Sequence, residues 1–199
     1  ATGRPCAALR SPLRSNSLRA DLLLLLTAFI WGFAFVAQRM GMEYVGPYLF
    51  NAARFALGCL PLLPFVAQNA SGPLLPHLLR AAPGSLLAGL FLFAGSSLQQ
   101  VGIVYTTAGK AGFITGLYVI LVPILGLALG QQSGRNTWLG ALVATAGLYL
   151  LSVEPPFSIA YGDALVLIGA LFWAGHVLII GRFAQQIDWA ALAFLQLLT

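Results

Sequence analysis

Apolar residues in this chain run together in long blocks, without the period-2 alternation of a half-buried strand. Five leucines stand in a row at positions 22–26. Charge, proline or glycine closes each block. A helical span needs roughly 20 mostly apolar residues. Six stretches meet that need, at residues 22–38, 47–66, 83–106, 111–129, 138–153 and 164–180. A seventh opens at Trp189, and the chain stops inside it at Thr199. Helix is the form expected for all of them. Backbone facing lipid must satisfy its own hydrogen bonds, and a β-barrel would show short alternating strands instead.

Composition sharpens this picture. Of 199 residues, 59% are hydrophobic and 8% charged, with mean hydropathy +0.89. Soluble domains carry about 45–50% apolar and about 25% charged residues. A soluble domain and a disordered chain are both excluded on these numbers. Cys6 and Cys59 are too few for a disulfide framework or a structural zinc site. The net charge is +5, but the basic residues form no stripe of the kind that binds nucleic acid, so none is expected as a partner.

The basic residues orient the chain instead. With the amino terminus inside, Arg4, Arg10, Arg14, Arg19, Arg80, Arg135 and Arg182 fall on the inner side. Only Arg39 and Lys110 fall outside, and Arg54 lies within a span. That bias predicts a cytoplasmic amino terminus. Residues 1–20 form a basic lead without acids. They suit a signal anchor better than a cleaved signal peptide, because the following span carries bulky Trp31, Phe33 and Phe35, has no convincing small-x-small cleavage site and is followed by more spans. The chain begins at Ala1 rather than Met, so its natural beginning is expected to lie upstream.

An internal correspondence adds a symmetry. Asp21 precedes Trp31 by ten residues, and Asp163 precedes Trp173 by ten, at an offset of 142. Five spans fill that offset, so the two copies run in opposite directions. Inverted repeats are common in secondary transporters, with the substrate near the midplane between the halves. The expected fold is an all-α integral membrane protein, a polytopic helical bundle. It has a basic segment at 1–20, one five-helix repeat at 21–153 and the start of an inverted second repeat at 160–199.

Four segments then carry a resemblance. "LLLLLTAFIWGFAFVAQRMG" resembles the opening helix of the EamA-type family in the drug/metabolite transporter superfamily. "PYLFNAARF", with its Arg54–Phe55 pair, resembles the start of that family's second helix. "YTTAGKAGFITGLYVILVPILG" resembles its fourth helix, and "GDALVLIGALFWAG" the opening of its second repeat. The resemblance covers residues 20–199. It implies a ten-helix protein built from two inverted five-helix repeats, of which this chain is a fragment. It also implies transport of small metabolites or drugs, often outward. The expected setting is an inner membrane, with lipid and a small-molecule substrate as partners. A homodimer is a further candidate assembly.

Several residues are candidates for chemistry. Arg54 lies about 10 Å into its span, where a charge costs about 2.5–3.5 kcal/mol on insertion scales. It either anchors an anionic group or pairs structurally, with Glu43 for example. Gln99 and Gln100, with Ser96 and Ser97 one turn earlier, offer an uncharged polar face suited to substrate or to interhelical hydrogen bonds. Lys110 either attracts an anion or snorkels to the headgroups. Trp31 and Trp173 lie too deep for the interfacial belt and either line a cavity or pack. His176 is a candidate proton carrier or a packing histidine. His77 falls in a polar loop and is expected to be solvated. Gly112, Gly116, Gly126 and Gly130 have the spacing of close helix packing, and Pro123 is expected to kink the span.

No catalytic cluster, metal spacing or Gly-x-x-x-x-Gly-Lys loop is present in the sequence. An enzyme is not expected, and no cofactor is implied. The rival readings are a membrane-embedded enzyme and a non-transporting membrane scaffold or sensor.

Overall fold

The computed structural model describes residues 13–70, 72–152 and 160–199. Arg4, Cys6, Arg10 and Glu154 lie outside the described residues, as does the expected end of the fifth stretch at Val153. Among the described residues all regular structure is helical. The elements are α1 (Leu13–Gly41), α2 (Pro47–Cys59), a 3-10 turn (Leu60–Leu62), α3 (Leu63–Asn69), α4 (Leu74–Val104), α5 (Ala108–Gly116), α6 (Tyr118–Ala128), α7 (Arg135–Ser152), α8 (Tyr161–Phe183) and α9 (Trp189–Leu197).

Five helical segments are long and apolar enough to cross a membrane: Leu18–Gly41, Pro47–Asn69, Leu74–Val104, Ala108–Ala128 and Tyr161–Phe183. The fifth expected stretch is the helix α7, but it falls short of that mark because it opens on Arg135, Asn136 and Thr137. Pro61 and Pro64 divide the second span into α2, the 3-10 turn and α3, since each ring removes a backbone donor. The third span begins nine residues before the expected Pro83, which sits inside α4. At 31 residues α4 is about 46 Å long. The hydrocarbon core is about 30 Å thick, so α4 exceeds it.

In the fourth span Pro123 lies buried inside α6, and the helix is interrupted earlier, at Leu117. There the Leu117 N–H bonds the Ile114 carbonyl in a tighter 3-10 step. A proline disturbs the carbonyl four residues back, which is Val119. The break comes earlier, beside Gly116, where helix propensity is weakest.

The chain divides into two compact units, Ala1–Ala34 and Phe35–Thr199. In the first, every residue from Leu18 to Phe33 is exposed, and Phe29 stacks on Phe33 at 5.0 Å. Lipid is the solvent that suits such a surface. The second unit is centred on the antiparallel pair α4 and α8. Glycines set their separation. A Cβ built on Gly162 would lie 2.5 Å from the Gly102 carbonyl oxygen, and one on Gly102 would lie 2.8 Å from the Gly162 oxygen. Two turns along, Gly95 and Gly169 repeat the contact at 3.4 and 3.1 Å. Small residues let membrane helices approach this closely.

The expected packing glycines play smaller parts. Gly112 meets only Phe35, at 3.9 Å. Gly126 faces the Gln131 side chain, which belongs to the loop after its own helix. Gly130 has φ +77° and closes α6, a left-handed position that glycine takes without strain. Gly116 stands at the end of α5, next to the break.

Candidate functional site

Polar side chains gather at the two ends of the second unit and at one level within it. At the end expected to face outward, Asp163 sits in the first turn of α8 and is buried. It accepts the Ala160 N–H at 2.9 Å and a short bond from the Thr106 hydroxyl. Lys110 Nζ lies 3.8 Å away. An acid at a helix start also complements the helix dipole. Lys110 is therefore tied to a carboxylate. Tyr105 packs edge-on to Tyr161 at 5.6 Å over the same end, so α4, α5 and α8 are joined there.

At the opposite end, Asp188 caps α9 through the Ala191 N–H at 3.0 Å. Asn69 donates to it at 2.7 Å, and His77 Nε2 lies 3.4 Å away. Burial acting alone would raise the pKa of Asp188. The bonds from Ala191, Asn69, His77 and Ala190 outweigh it and hold the carboxyl below its ordinary value. His77 is thus not a solvated loop residue. The earlier start of α4 places it on a helix, where it reaches Asp188.

Between the ends, the polar level lies in the half of α2 and α4 nearer the first end. Gln99 is buried and donates to Thr115 Oγ1 at 2.8 Å, linking α4 to α5. Gln100 beside it is fully buried, and both its amide atoms lack a hydrogen-bond partner. Asn51 on α2 is 5% exposed, and its Oδ1 and Nδ2 are likewise unpartnered. Ser97 Oγ and Gln38 Oε1 share that condition. A buried amide without partners costs on the order of 1–3 kcal/mol. Several at one depth mark a place where something polar is wanted.

Arg54 stands one turn from Asn51 on the same helix face. Its guanidinium carbon lies 4.9 Å from the Phe55 ring centroid and 5.9 Å from that of Phe50. Among the described residues no carboxylate lies within ion-pair distance, so the pairing with Glu43 is not formed. Its Nε is buried without a partner. Cation–π contact returns about 0.5–2 kcal/mol, which offsets only part of the cost of a charge at this depth.

The remaining candidates are dispersed. Trp31 is exposed and belongs to the first unit. Trp173 is half-buried on α8 and packs edge-on to His176 at 5.9 Å. His176 Nε2 lies 2.8 Å from Gln196 Oε1, an amide oxygen and not a carboxylate. The proposed Asp–Trp correspondence is uneven, with Asp21 exposed and Asp163 buried. A cleft of about 670 Å³ opens between α4, α6 and α8 near the opposite end, lined by Leu87, Phe91, Leu125, Leu129, Gln131 and Arg182 among others. None of the sequence candidates lines it. Among the described residues no three His, Cys, Asp or Glu side chains cluster as metal ligands would.

Sequence reasoning missed Asn51, Gln38 and Asp188 as polar centres. Asn51 had a usable signal, three residues before Arg54 within an apolar span. Asp188 had the N-cap pattern, an acid directly before the apolar run from Trp189.

Residues 18–153 match the EamA-like transporter family. The chain belongs to that family. Across 180 residues it is 35% identical to an "Uncharacterized transporter" of Archaeoglobus fulgidus. The matched region is 90% of this chain and 54% of the relative, so the chain spans about half the relative's length. No solved structure matches. Family and relative point to a transporter rather than an enzyme. The family, with five long apolar helices among the described residues, supports a multi-pass membrane protein.

Proposed function

We propose that this chain supplies the substrate-binding half of a secondary transporter of small organic metabolites or drugs. It works by alternating access in an inner membrane, with its amino terminus in the cytoplasm, and moves its substrate outward. The ten-helix architecture of two inverted repeats is part of this reading. The observation that carries it is the unpartnered polar level of Asn51, Arg54 and Gln100 within apolar spans. Packing gives no return for such groups, whereas a passing polar solute fills their hydrogen-bonding capacity. Lys110 and Asp163 join the helices at the outward end, and Asp188 with Asn69 and His77 joins them at the other. Paired contacts at the two ends suit gates that open in turn. Substrate contacts extend to Gln99, Lys110 and Trp173 in the second unit; Trp31 stays a candidate lining residue of the first unit alone. The driving force is a proton gradient, with His176 as carrier, or the substrate's own gradient.

The test is Arg54→Ala in the natural full-length protein, with transport measured at matched membrane abundance. Transport is expected to fall at least tenfold while abundance changes little. Unchanged transport removes Arg54 from the site.

A further inference from the structure

The chemistry of the level narrows what can fill it. Arg54 and Asn51 share a face of α2, and Ser97 and Gln100 share a face of α4, each pair three residues apart. The helices α2 and α4 pack together. Counted from the helix ends at Pro47 and Val104, both pairs lie about 6–10 Å deep. The unpartnered atoms are a guanidinium Nε, a hydroxyl and two complete amides. The level therefore presents both donors and acceptors around one fixed positive charge.

The charge of this half narrows the choice further. Among the described residues no acid compensates Arg54, while Lys110 at the outer end already has Asp163. A single negative charge neutralises the level. A dianion would leave it negative, and a zwitterion would pair its carboxylate with Arg54 but leave its own ammonium uncompensated in a low-dielectric setting. The rings of Phe50 and Phe55 cover the guanidinium carbon, which leaves the planar N–H edge for a ligand. That edge matches a carboxylate with two parallel bonds. Asn51 and Gln100 add donors and acceptors beside it, which suit a hydroxyl or keto oxygen on the same molecule.

We propose that Asn51, Arg54 and Gln100 form a subsite for a monocarboxylate bearing a neighbouring hydroxyl or keto group. The proposal rests on the transporter reading above and names its substrate class. Asn51 is the specificity-determining residue that the chain's family membership does not assign. Removing its amide leaves no broken bond inside the protein, because it has none among the described residues. A binding role and a structural role thus predict opposite results.

The experiment uses the natural full-length protein in detergent. Thermal unfolding is followed with lactate, 3-hydroxybutyrate and mandelate, each beside its primary amide, and with alanine and glycerol 3-phosphate. At least one hydroxy acid is expected to stabilise the protein at millimolar concentration, and its amide, the zwitterion and the dianion are not. Arg54→Gln is expected to weaken that acid at least tenfold. Asn51→Leu and Gln100→Met are expected to weaken it at least fivefold while the unliganded melting temperature holds or rises. The proposal is overturned if no hydroxy acid stabilises, if alanine or glycerol 3-phosphate does so equally, or if Asn51→Leu and Gln100→Met melt earlier and still bind. Counterflow in proteoliposomes separates the two readings. Hydroxy-acid binding without counterflow overturns transport and keeps the subsite. Counterflow of another solute without hydroxy-acid binding overturns the subsite and keeps transport.

Discussion

Gly162→Ala adds one methyl group where α8 crosses α4. That methyl would lie 2.5 Å from the Gly102 carbonyl oxygen and 2.9 Å from both the backbone carbon and the Cβ of Tyr105. Two of these three atoms are backbone, so no flexible side chain can swing aside. An ordinary C···O contact is about 3.3–3.6 Å, so the helices must part by roughly 1 Å. Overpacking of this kind costs about 1–3 kcal/mol. Alanine's better helix propensity returns up to about 1 kcal/mol. Backbone neighbours put the cost at the upper end of that range, so the net loss is about 2 kcal/mol, and a chain of this size loses about 2–4 °C of melting temperature per kcal/mol. Gly102→Ala meets the Gly162 oxygen at 2.8 Å and is expected to behave alike. Gly95→Ala, with its nearest contact at 3.3 Å, should lose less, and Gly181→Ala, with nothing within 4 Å, should lose nothing. Buried Cys59 provides the assay, since a thiol-reactive dye reports its exposure on heating in a Cys6→Ser background. If Gly162→Ala and Gly102→Ala melt no earlier than Gly181→Ala, the close α4–α8 contact does not hold the fold.

The polar ends yield further expectations. Asp188→Ala removes the α9 cap and its bonds to Asn69 and His77, and should lower stability by at least the ~1 kcal/mol typical of a lost cap, read by the same dye. Because the Asp188 pKa is held below its ordinary value, its contribution is present above the usual carboxyl range near pH 4 and is lost as pH falls through the lowered value. Melting temperature should therefore drop on acidification below about pH 4, and Asp188→Asn should flatten that drop. Asp163→Leu leaves Thr106 and the Ala160 N–H without their acceptor and should destabilise more than Lys110→Met, whose ammonium is partly exposed. Equal losses in the two variants would contradict this ordering. Gln99→Leu breaks the hydrogen bond to Thr115 that links α4 to α5 and should cost about 1 kcal/mol, unlike Gln100→Met, which breaks none among the described residues.

The helices were legible because apolar runs this long have few other fates. Their ends were less so, since proline was taken for a boundary at Pro83, which lies inside a helix, and the break at Leu117 carries no proline. The glycines at the α4–α8 contact were less legible for a related reason. A four-residue spacing drew attention to residues 112–130, while the contact uses Gly95 with Gly102 and Gly162 with Gly169, each seven apart. Which helix meets which is not written in one helix's spacing. Arg54 and Gln100 stood out as polar residues in apolar spans. That Gln99 is hydrogen-bonded and its neighbour is not depends on Thr115, sixteen residues on, and only the packed helices set that.

The most direct test of the account asks whether water reaches the polar level. Gln100→Cys is introduced into the natural full-length protein lacking Cys6 and Cys59, in sealed membrane vesicles of both orientations. A membrane-impermeant thiol reagent is expected to label it from at least one side, and not to label Leu24→Cys, which lies among exposed apolar residues of the first span. If Gln100→Cys stays as unreactive as Leu24→Cys from both sides, the level is sealed packing and not a solute site.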